Sequence, residues 1–223
     1  LASALLLVAA FVLCMSMEGG MKLFASIASG IVAGVAIGFI TEVYTSGDYK
    51  SVKYIAEQSE TGAATTILSG FSVGLKSTAF PIILIVAAVV LSSILAGLYG
   101  VALAAIGMLA TVGITISVDA YGPVADNAGG IAEMSGMPHS IREITDSLDA
   151  VGNTTAAIGK GFSIGSAALT ALALFNSYAQ AIKLGTINIL DAKVIAGIFI
   201  GTNFGFVIAG LFGRADDGED VPD

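Results

Sequence analysis

Long apolar stretches alternate with shorter polar connections along the whole chain. A membrane-spanning helix needs about 20 mostly apolar residues. Six stretches approach or exceed that length, at residues 1–17, 21–44, 61–95, 98–121, 154–182 and 194–212. The pattern predicts an all-α, polytopic membrane helix bundle with about six transmembrane helices, forming one bundle over residues 1–213.

Two of the polar connections are long, residues 45–60 and 122–153. Lys and Arg are enriched in the short cytoplasmic loops of membrane proteins. The two long connections and the C-terminal end carry four basic residues and the opposite side three: Lys50, Lys53, Arg142 and Arg214 against Lys22, Lys183 and Lys193. We therefore expect both long connections and the C-terminus to be cytoplasmic.

The composition agrees with a membrane protein and excludes other classes. Only 12% of residues are charged, compared with about 25% in soluble domains. The net charge is −8 and no basic stripe occurs, so we expect no nucleic-acid partner. The single cysteine excludes an internal disulfide framework. The acidic tail, residues 214–223, is expected to be disordered, and the start inside an apolar run indicates a piece of a longer chain.

Glycine is abundant, with 28 residues, and several glycines are spaced as GxxxG. Small residues at this spacing let membrane helices approach each other closely. The pairs are Gly34/Gly38, Gly70/Gly74, Gly161/Gly165, Gly197/Gly201 and Gly201/Gly205. They predict tight helix packing but do not indicate which activity the protein has.

Carboxylates gather where the fourth apolar stretch ends. Asp119 and Asp126 are seven residues apart, and Gly122 and Pro123 between them predict a kink. Acidic groups beside hydrocarbon are costly and usually mark an ion pathway or ligand site. Carboxylate oxygens at such a place suit hard cations.

The following loop, residues 138–149, carries further charges. Arg142 and Glu143 fit a solvated helix, whereas Asp146 and Asp149 share a face at i and i+3. The lone His139 is expected to be exposed, which disfavours histidine-based catalysis and zinc sites.

A second candidate feature opens the fifth apolar stretch. Asn153, Thr154 and Thr155 resemble N-cap residues, and Lys160 lies about two turns into the helix on the face of Asn153. A helix N-terminus with an inward lysine would bind an anion such as phosphate. The segment GNTTAAIGKG does not have Walker A spacing.

Together these features predict a metal–phosphate site. A cation transporter, in which the acids bind the ion and Lys160 pairs with one of them, remains an alternative without hydrolytic activity. A structural membrane subunit is a third possibility.

Several motifs resemble those of the membrane-bound inorganic pyrophosphatases. The two longest are DAYGPVADNAGGIAEMSG and TDSLDAVGNTTAAIGKGFSIGSAALTALALF, and they are preceded by FITEVYTS, ETGAATTILSGFSVGLKS and YGVALAAIGML. This resemblance implies a homodimeric, sixteen-helix pump in the lipid bilayer. Such a pump hydrolyses magnesium pyrophosphate on its cytoplasmic side and translocates protons or sodium ions.

The resemblance also implies residue roles. Asp126 matches an active-site aspartate near the metal ions, Asn153 a residue contacting the metal–pyrophosphate complex, and Lys160 a pyrophosphate-binding lysine. Ala156 and Gly159 match the positions that separate the subfamilies, and potassium-independent members carry Lys at the first and usually Thr at the second. The resemblance therefore implies Mg²⁺ and K⁺ as cofactors. From the pattern of charges alone, Asp119 and Asp149 are further candidate site residues.

The resemblance covers only part of such a pump. The family's main magnesium-binding motif, its water-activating aspartate and its ion-gate charges have no match in this sequence, and the tail after Gly213 departs from the family. We therefore assign no catalytic residue within this segment, expect it to be inactive alone, and leave proton and sodium both open.

Overall fold

The computed structural model describes residues 2–215, and this part of the chain contains helices and no strand. The helices are α1 Ala2–Met15, α2 Gly20–Thr45, α3 Lys50–Ser59, α4 Ala63–Ser77, α5 Ala79–Leu109, α6 Val112–Asp119, α7 Tyr121–Met134, α8 His139–Ala181 and α9 Ala192–Ala215. The predicted all-α class is confirmed.

The predicted apolar stretches all fall on helices. Three regions are long and apolar enough to cross a membrane: Gly20–Ser59, which contains α2 and α3, Ala63–Leu109, which contains α4 and α5, and His139–Ala181, which is α8. Two shorter apolar helices are Ala2–Met15 and Ala192–Gly205. The number differs from six partly because Ala63–Leu109 merges the third predicted stretch with half of the fourth. The two terminal stretches are also helical, with 14 residues in α1 and 24 residues in α9.

A sharp reversal divides α5 at Ala96 and Gly97, as the short predicted connection there required. Gly97 has φ +60°, a conformation that glycine adopts without steric cost. A Cβ atom on Gly100 would overlap the carbonyl oxygen of Ser92, although residues eight apart in a straight helix lie about 12 Å apart. Residues 79–95 and 98–109 are therefore two arms that fold back on each other.

Helix α2 packs against the second arm of α5 with almost no space between the backbones. A Cβ atom on Gly30 would overlap the carbonyl of Ala104, and one on Gly107 would overlap the carbonyl of Ile27. The core that surrounds this contact also takes in α8 and consists of Ala33, Ile37, Ala88, Val101, Ala105, Met108, Phe162 and Leu169. Because α8 packs into this core, residues near its middle have fixed positions.

The GxxxG prediction is confirmed for two pairs. Gly34 and Gly38 face side chains of α5 and α8, and Gly161 and Gly165 face Ile37 on α2. The glycines of the other three pairs have no atom within 4 Å of an added Cβ among the described residues: Gly70, Gly74, Gly197, Gly201 and Gly205.

Contacts divide the chain into two compact units, residues 1–176 and 177–223. The second unit contains the end of α8, a connection in which Lys183 has φ +54°, and α9. The predicted acidic tail starts at Arg214, which belongs to α9, and its residues 216–223 lie outside the described part. A single bundle over residues 1–213 stays a prediction.

Both long polar connections contain more helix than expected. Helix α3 occupies most of residues 45–60, and α7 and the start of α8 occupy nearly all of residues 122–153. The second connection is therefore a helical hairpin and not a loop, and this hairpin carries most of the predicted site.

Candidate functional site

The hairpin of α7 and α8 turns within four residues. Gly136, at φ +61°, lies in the turn, and the amide of Met137 donates to the carbonyl of Ala132 at 3.1 Å, the pattern of a helix ended by a left-handed glycine. Helix α8 begins at His139. The polar residues of this region therefore lie on two adjacent antiparallel helices.

The predicted kink lies slightly before the proline. Helix α6 ends at Asp119, and α7 begins at Tyr121. Pro123 is the third residue of α7, in the first turn, where a missing N–H costs no helical hydrogen bond. Asp119 and Asp126 consequently belong to different helices.

Two glycines bring α7 and α8 into backbone contact. A Cβ atom on Gly152 would lie 2.8 Å from the Cα of Gly122, and one on Gly122 would lie 3.3 Å from the carbonyl oxygen of Gly152. The hydroxyl of Tyr121 donates to the carbonyl of Leu148 at 3.3 Å. These contacts fix the register of the two helices.

A cleft of about 300 Å³ opens between the two helices. It is lined by Asp126, Gly129, Gly130, Glu133, Met134, Arg142, Asp146 and Asp149. The cleft brings together two predicted site residues, Asp126 and Asp149. Asp119 does not line it and instead lies beside Gly159, where an added Cβ would be 3.6 Å from the Asp119 Oδ1 atom.

Arg142 joins the two walls of the cleft, a role that the interpretation as a solvated helix missed. Its Nη1 atom is 3.1 Å from Oε2 of Glu133, and its Nε atom is 2.8 Å from Oδ1 of Asp146. The same Nη1 atom donates to the carbonyl of Gly129 at 3.0 Å. The i,i+4 spacing to Asp146 is readable in the sequence, whereas the pair with Glu133 depends on the turn. His139 and Glu143, which form a 3.3 Å pair, are exposed as expected.

Asp149 presents a carboxylate oxygen without a partner. Its Oδ2 atom accepts a hydrogen bond from Nδ2 of Asn153 at 3.1 Å, while its Oδ1 atom is buried and has no hydrogen-bond partner among the described residues. Buried polar atoms are normally paired. An oxygen of this kind on a cleft wall is suited to accept a cation or a donor from a ligand.

The expected helix N-terminus at Asn153 is wrong. Asn153 lies inside α8, and its side chain binds Asp149 one turn earlier. The hydroxyls of Thr154 and Thr155 donate to the carbonyls of Ala150 and Val151. Because the helix continues through Gly152, which is packed on Gly122, no free N–H groups exist there to bind an anion.

The expected burial of Lys160 is also wrong for this part of the chain. Lys160 is exposed on α8, and among the described residues its ammonium forms no salt bridge with an acid. Ala156 is half-buried and Gly159 is buried on the same helix. The ammonium group of Lys160 and the side chain of Asn153 are thus both accessible to a ligand.

The residues of the cleft fit Mg²⁺ in part. Carboxylate oxygens are the ligands that Mg²⁺ prefers, and Asp149 has one that no described residue hydrogen-bonds. In the described part of the chain, however, no three His, Cys, Asp or Glu side chains converge as a metal site. These residues can therefore supply some ligands of a metal ion and not a complete set.

Sequence comparison decides the family. A model of the family described as inorganic H⁺ pyrophosphatase matches residues 1–216. The chain belongs to this family. The membrane class predicted from the apolar stretches is confirmed.

Several curated pyrophosphatase relatives are similar over nearly the whole chain. A protein from Clostridium tetani named "Putative K(+)-stimulated pyrophosphate-energized sodium pump" is 57% identical over 93% of the chain. A K(+)-stimulated pyrophosphate-energized sodium pump from Thermotoga maritima is 47% identical over 81%. A K(+)-insensitive pyrophosphate-energized proton pump from Methanosarcina mazei is 42% identical over 94%.

The chain spans about a third of the length of these relatives, with 32%, 26% and 33% of each covered. The family and the membrane fold follow directly from these matches. The activity, substrates and partners of a whole pump are matters of proposal for this segment.

Proposed function

We propose that the chain is a segment of a membrane pump that couples hydrolysis of magnesium pyrophosphate to translocation of protons or sodium ions. One observation carries the proposal: in a member of the pyrophosphatase family, Asp126 and Asp149 line one cleft between α7 and α8, and one Asp149 oxygen there has no hydrogen-bond partner within the described part of the chain. The alternative is a secondary cation transporter without hydrolytic activity, which the test below would support if the protein did not hydrolyse pyrophosphate.

In this proposal Asp126 and Asn153 bind the magnesium–pyrophosphate complex, and Lys160 binds pyrophosphate. When bound, Mg²⁺ neutralises phosphate oxygens and stabilises the charge that develops as the anhydride breaks. Catalysis of phosphoryl transfer is mostly positioning and electrostatic stabilisation. The exposure of Asp126, Asn153 and Lys160 supports ligand access, and Asp149 and Asp119 are further candidate ligands.

We also propose that the pump depends on potassium. Ala156 leaves no ammonium where potassium-independent members carry one, so a K⁺ ion would supply that charge. Gly159 supports this assignment because it lies beside Asp119, where an added Cβ would be 3.6 Å from the Asp119 Oδ1 atom, so a carboxylate lies near this position. The relatives at 57% and 47% identity are named K(+)-stimulated.

The remaining features of the parent pump are proposed with it. Many large apolar side chains are exposed, among them Ile67, Ile94 and Ile200 at 70%, 77% and 71%, which supports cover by lipid, by further helices, or by a second subunit in a homodimer. The α7–α8 hairpin and residues 45–60 would face the cytoplasm, as the distribution of basic residues favours.

The test uses the complete reading frame in membrane vesicles. Pyrophosphate hydrolysis with Mg²⁺ is measured with and without K⁺, for the wild type, for Ala156→Lys and for Ala157→Lys as a neighbouring control on another face of α8. We expect K⁺ to stimulate the wild type and Ala157→Lys but not Ala156→Lys.

Each other result has a defined meaning. Hydrolysis that K⁺ does not affect would keep the enzyme and contradict the role of Ala156. A loss of K⁺ stimulation in both lysine variants would show a general effect of charge on α8. Absence of hydrolysis from the folded protein, with ion flux retained, would support the cation transporter.

A further inference from the structure

We propose that Arg142 is a positioning residue that joins α8 to α7 and thereby sets the affinity of the cleft for Mg²⁺ and magnesium pyrophosphate. This inference rests on the proposed function. The sequence motifs assign no role to Arg142. The role proposed here follows from the contacts of its guanidinium group.

The guanidinium contacts both helices. Its Nε atom pairs with Asp146 on its own helix at 2.8 Å, and its Nη1 atom pairs with Glu133 on α7 at 3.1 Å. Arginine carries a planar set of donors in fixed geometry, whereas lysine carries a compact point charge. The guanidinium can therefore pair with Asp146 through Nε and with Glu133 through Nη1 at the same time, a two-atom geometry that the single Nζ atom of a lysine does not reproduce.

The third contact reaches the backbone beside Asp126. Nη1 also donates to the carbonyl of Gly129 at 3.0 Å, and Gly129 lies three residues after Asp126 on α7. Charge-assisted hydrogen bonds are about twice as strong as neutral ones. The contact thus holds the stretch of α7 that presents Asp126 at a fixed distance from α8.

The charges of the cleft show what this arrangement achieves. Four carboxylates line the cleft, those of Asp126, Glu133, Asp146 and Asp149, and Arg142 is the cation among its lining residues in the described part of the chain. Arg142 pairs with Glu133 and Asp146. Among the described residues, neither Asp126 nor Asp149 forms an ion pair with Arg142, and Oδ1 of Asp149 has no hydrogen-bond partner.

Loss of Arg142 would leave four like charges in one cleft without an internal cation. Like-charged carboxylates repel and disfavour their own ionised forms. Glu133 and Asp146 would then compete with Asp126 and Asp149 for Mg²⁺, and the two helices would lose the link between their polar ends. Removal of groups that orient metal ligands typically weakens metal affinity about 10–100-fold.

The experiment compares Arg142→Gln, Arg142→Lys and Glu133→Gln with wild type in the complete protein. The matched control is Glu143→Gln, an adjacent charge on α8 whose partner is the exposed His139. Two quantities are measured: the apparent KM and kcat for magnesium pyrophosphate, and the Mg²⁺ concentration that gives half of the thermal stabilisation by Mg²⁺ alone.

We expect Arg142→Gln to raise both the KM and the half-stabilising Mg²⁺ concentration about 10-fold or more, with a smaller change in kcat. Arg142→Lys should recover only part of this loss, Glu133→Gln should show a smaller change in the same direction, and Glu143→Gln should match wild type.

Three results would overturn the proposal. One is a lower melting temperature and kcat in Arg142→Gln with KM and Mg²⁺ affinity unchanged, the signature of a merely structural residue. The second is full recovery in Arg142→Lys, and the third is an equal effect of Glu143→Gln. If the wild type does not hydrolyse pyrophosphate, the proposed function fails, but the Mg²⁺ stabilisation still tests whether Arg142 sets the affinity for Mg²⁺. If Arg142→Gln does not fold, the results for Arg142→Lys and Glu133→Gln test the role of Arg142 instead.

Discussion

The contact between Gly152 and Gly122 makes a sharp prediction for Gly152→Ala. The added Cβ would lie 2.8 Å from the Cα of Gly122, whereas carbon atoms in good contact lie about 3.5–4.0 Å apart. The obstacle is backbone and not a flexible side chain, so α7 and α8 must separate. The required movement is about 0.7–1.2 Å by difference from that contact range.

The effect on stability should be modest. Alanine is more favourable than glycine in a helix interior by about 0.8–1.0 kcal/mol. Overpacking a close contact typically costs about 1–3 kcal/mol. The two terms oppose each other, and the net loss should be about 0–2 kcal/mol, too small to unfold the protein.

The effect on activity should be much larger. Gly152 lies between Asp149 and Asn153 on α8, so separation of the helices moves both away from Asp126 on α7. A misplacement of about 1 Å can lower a rate about 100-fold. We therefore expect Gly152→Ala to lose about 10–100-fold in hydrolysis while its melting temperature falls by a few degrees.

The assay is Mg²⁺-dependent pyrophosphate hydrolysis by the complete protein, with thermal unfolding measured on the same samples. Gly113→Ala on α6 is the control, because Gly113 does not line the cleft and an added Cβ there would meet no atom within 4 Å among the described residues. It should keep most of the activity. Hydrolysis by Gly152→Ala within twofold of wild type, or an equal loss in Gly113→Ala, would refute the reasoning.

Two further predictions concern the ligand and the core. Lys160→Ala should weaken binding of magnesium pyrophosphate about 10–100-fold, as expected for loss of a charged hydrogen bond. Calorimetry measures the affinity, and Lys160→Arg is the control. Unchanged affinity in Lys160→Ala would contradict the proposal that Lys160 binds pyrophosphate. Leu169→Ala, at a side chain with 0% exposure, should destabilise the protein by about 2–5 kcal/mol, whereas Leu169→Met should cost less than about 1.5 kcal/mol. Equal denaturation midpoints for the two Leu169 variants would show that α8 does not pack there as described.

The helices could be predicted from the sequence because their cause is local. Apolar stretches such as 21–44 form helices because a backbone in hydrocarbon must satisfy its hydrogen bonds internally. The reversal at Gly97 was predictable too, since a short connection between two apolar runs needs a residue that tolerates positive φ. The pairing of Gly30 with Ala104 was not, because it depends on which helices meet.

The error at Asn153 has a physical explanation. Asn and Thr favour helix starts because their side chains can bind free N–H groups. The same side chains can also bind inside a helix, where Thr154 and Thr155 donate to the carbonyls four residues earlier. The choice between the two was decided by the contact of Gly152 with Gly122, which holds this part of α8 in helical form.

The sequence also contained every charge of the cleft without showing which charges cancel. The pair of Arg142 with Asp146 follows from i,i+4 spacing, but the pair with Glu133 exists only because the turn at residues 135–138 brings α7 back alongside α8. That second pair removes Glu133 from the set of available ligands. Affinity for Mg²⁺ depends on the number of unpaired carboxylates and not on the total number of carboxylates. The set of residues that can bind Mg²⁺ is therefore determined by the structure of the hairpin. A motif that places Asp126 and Asn153 in the site cannot by itself say whether Asp146 or Asp149 joins them.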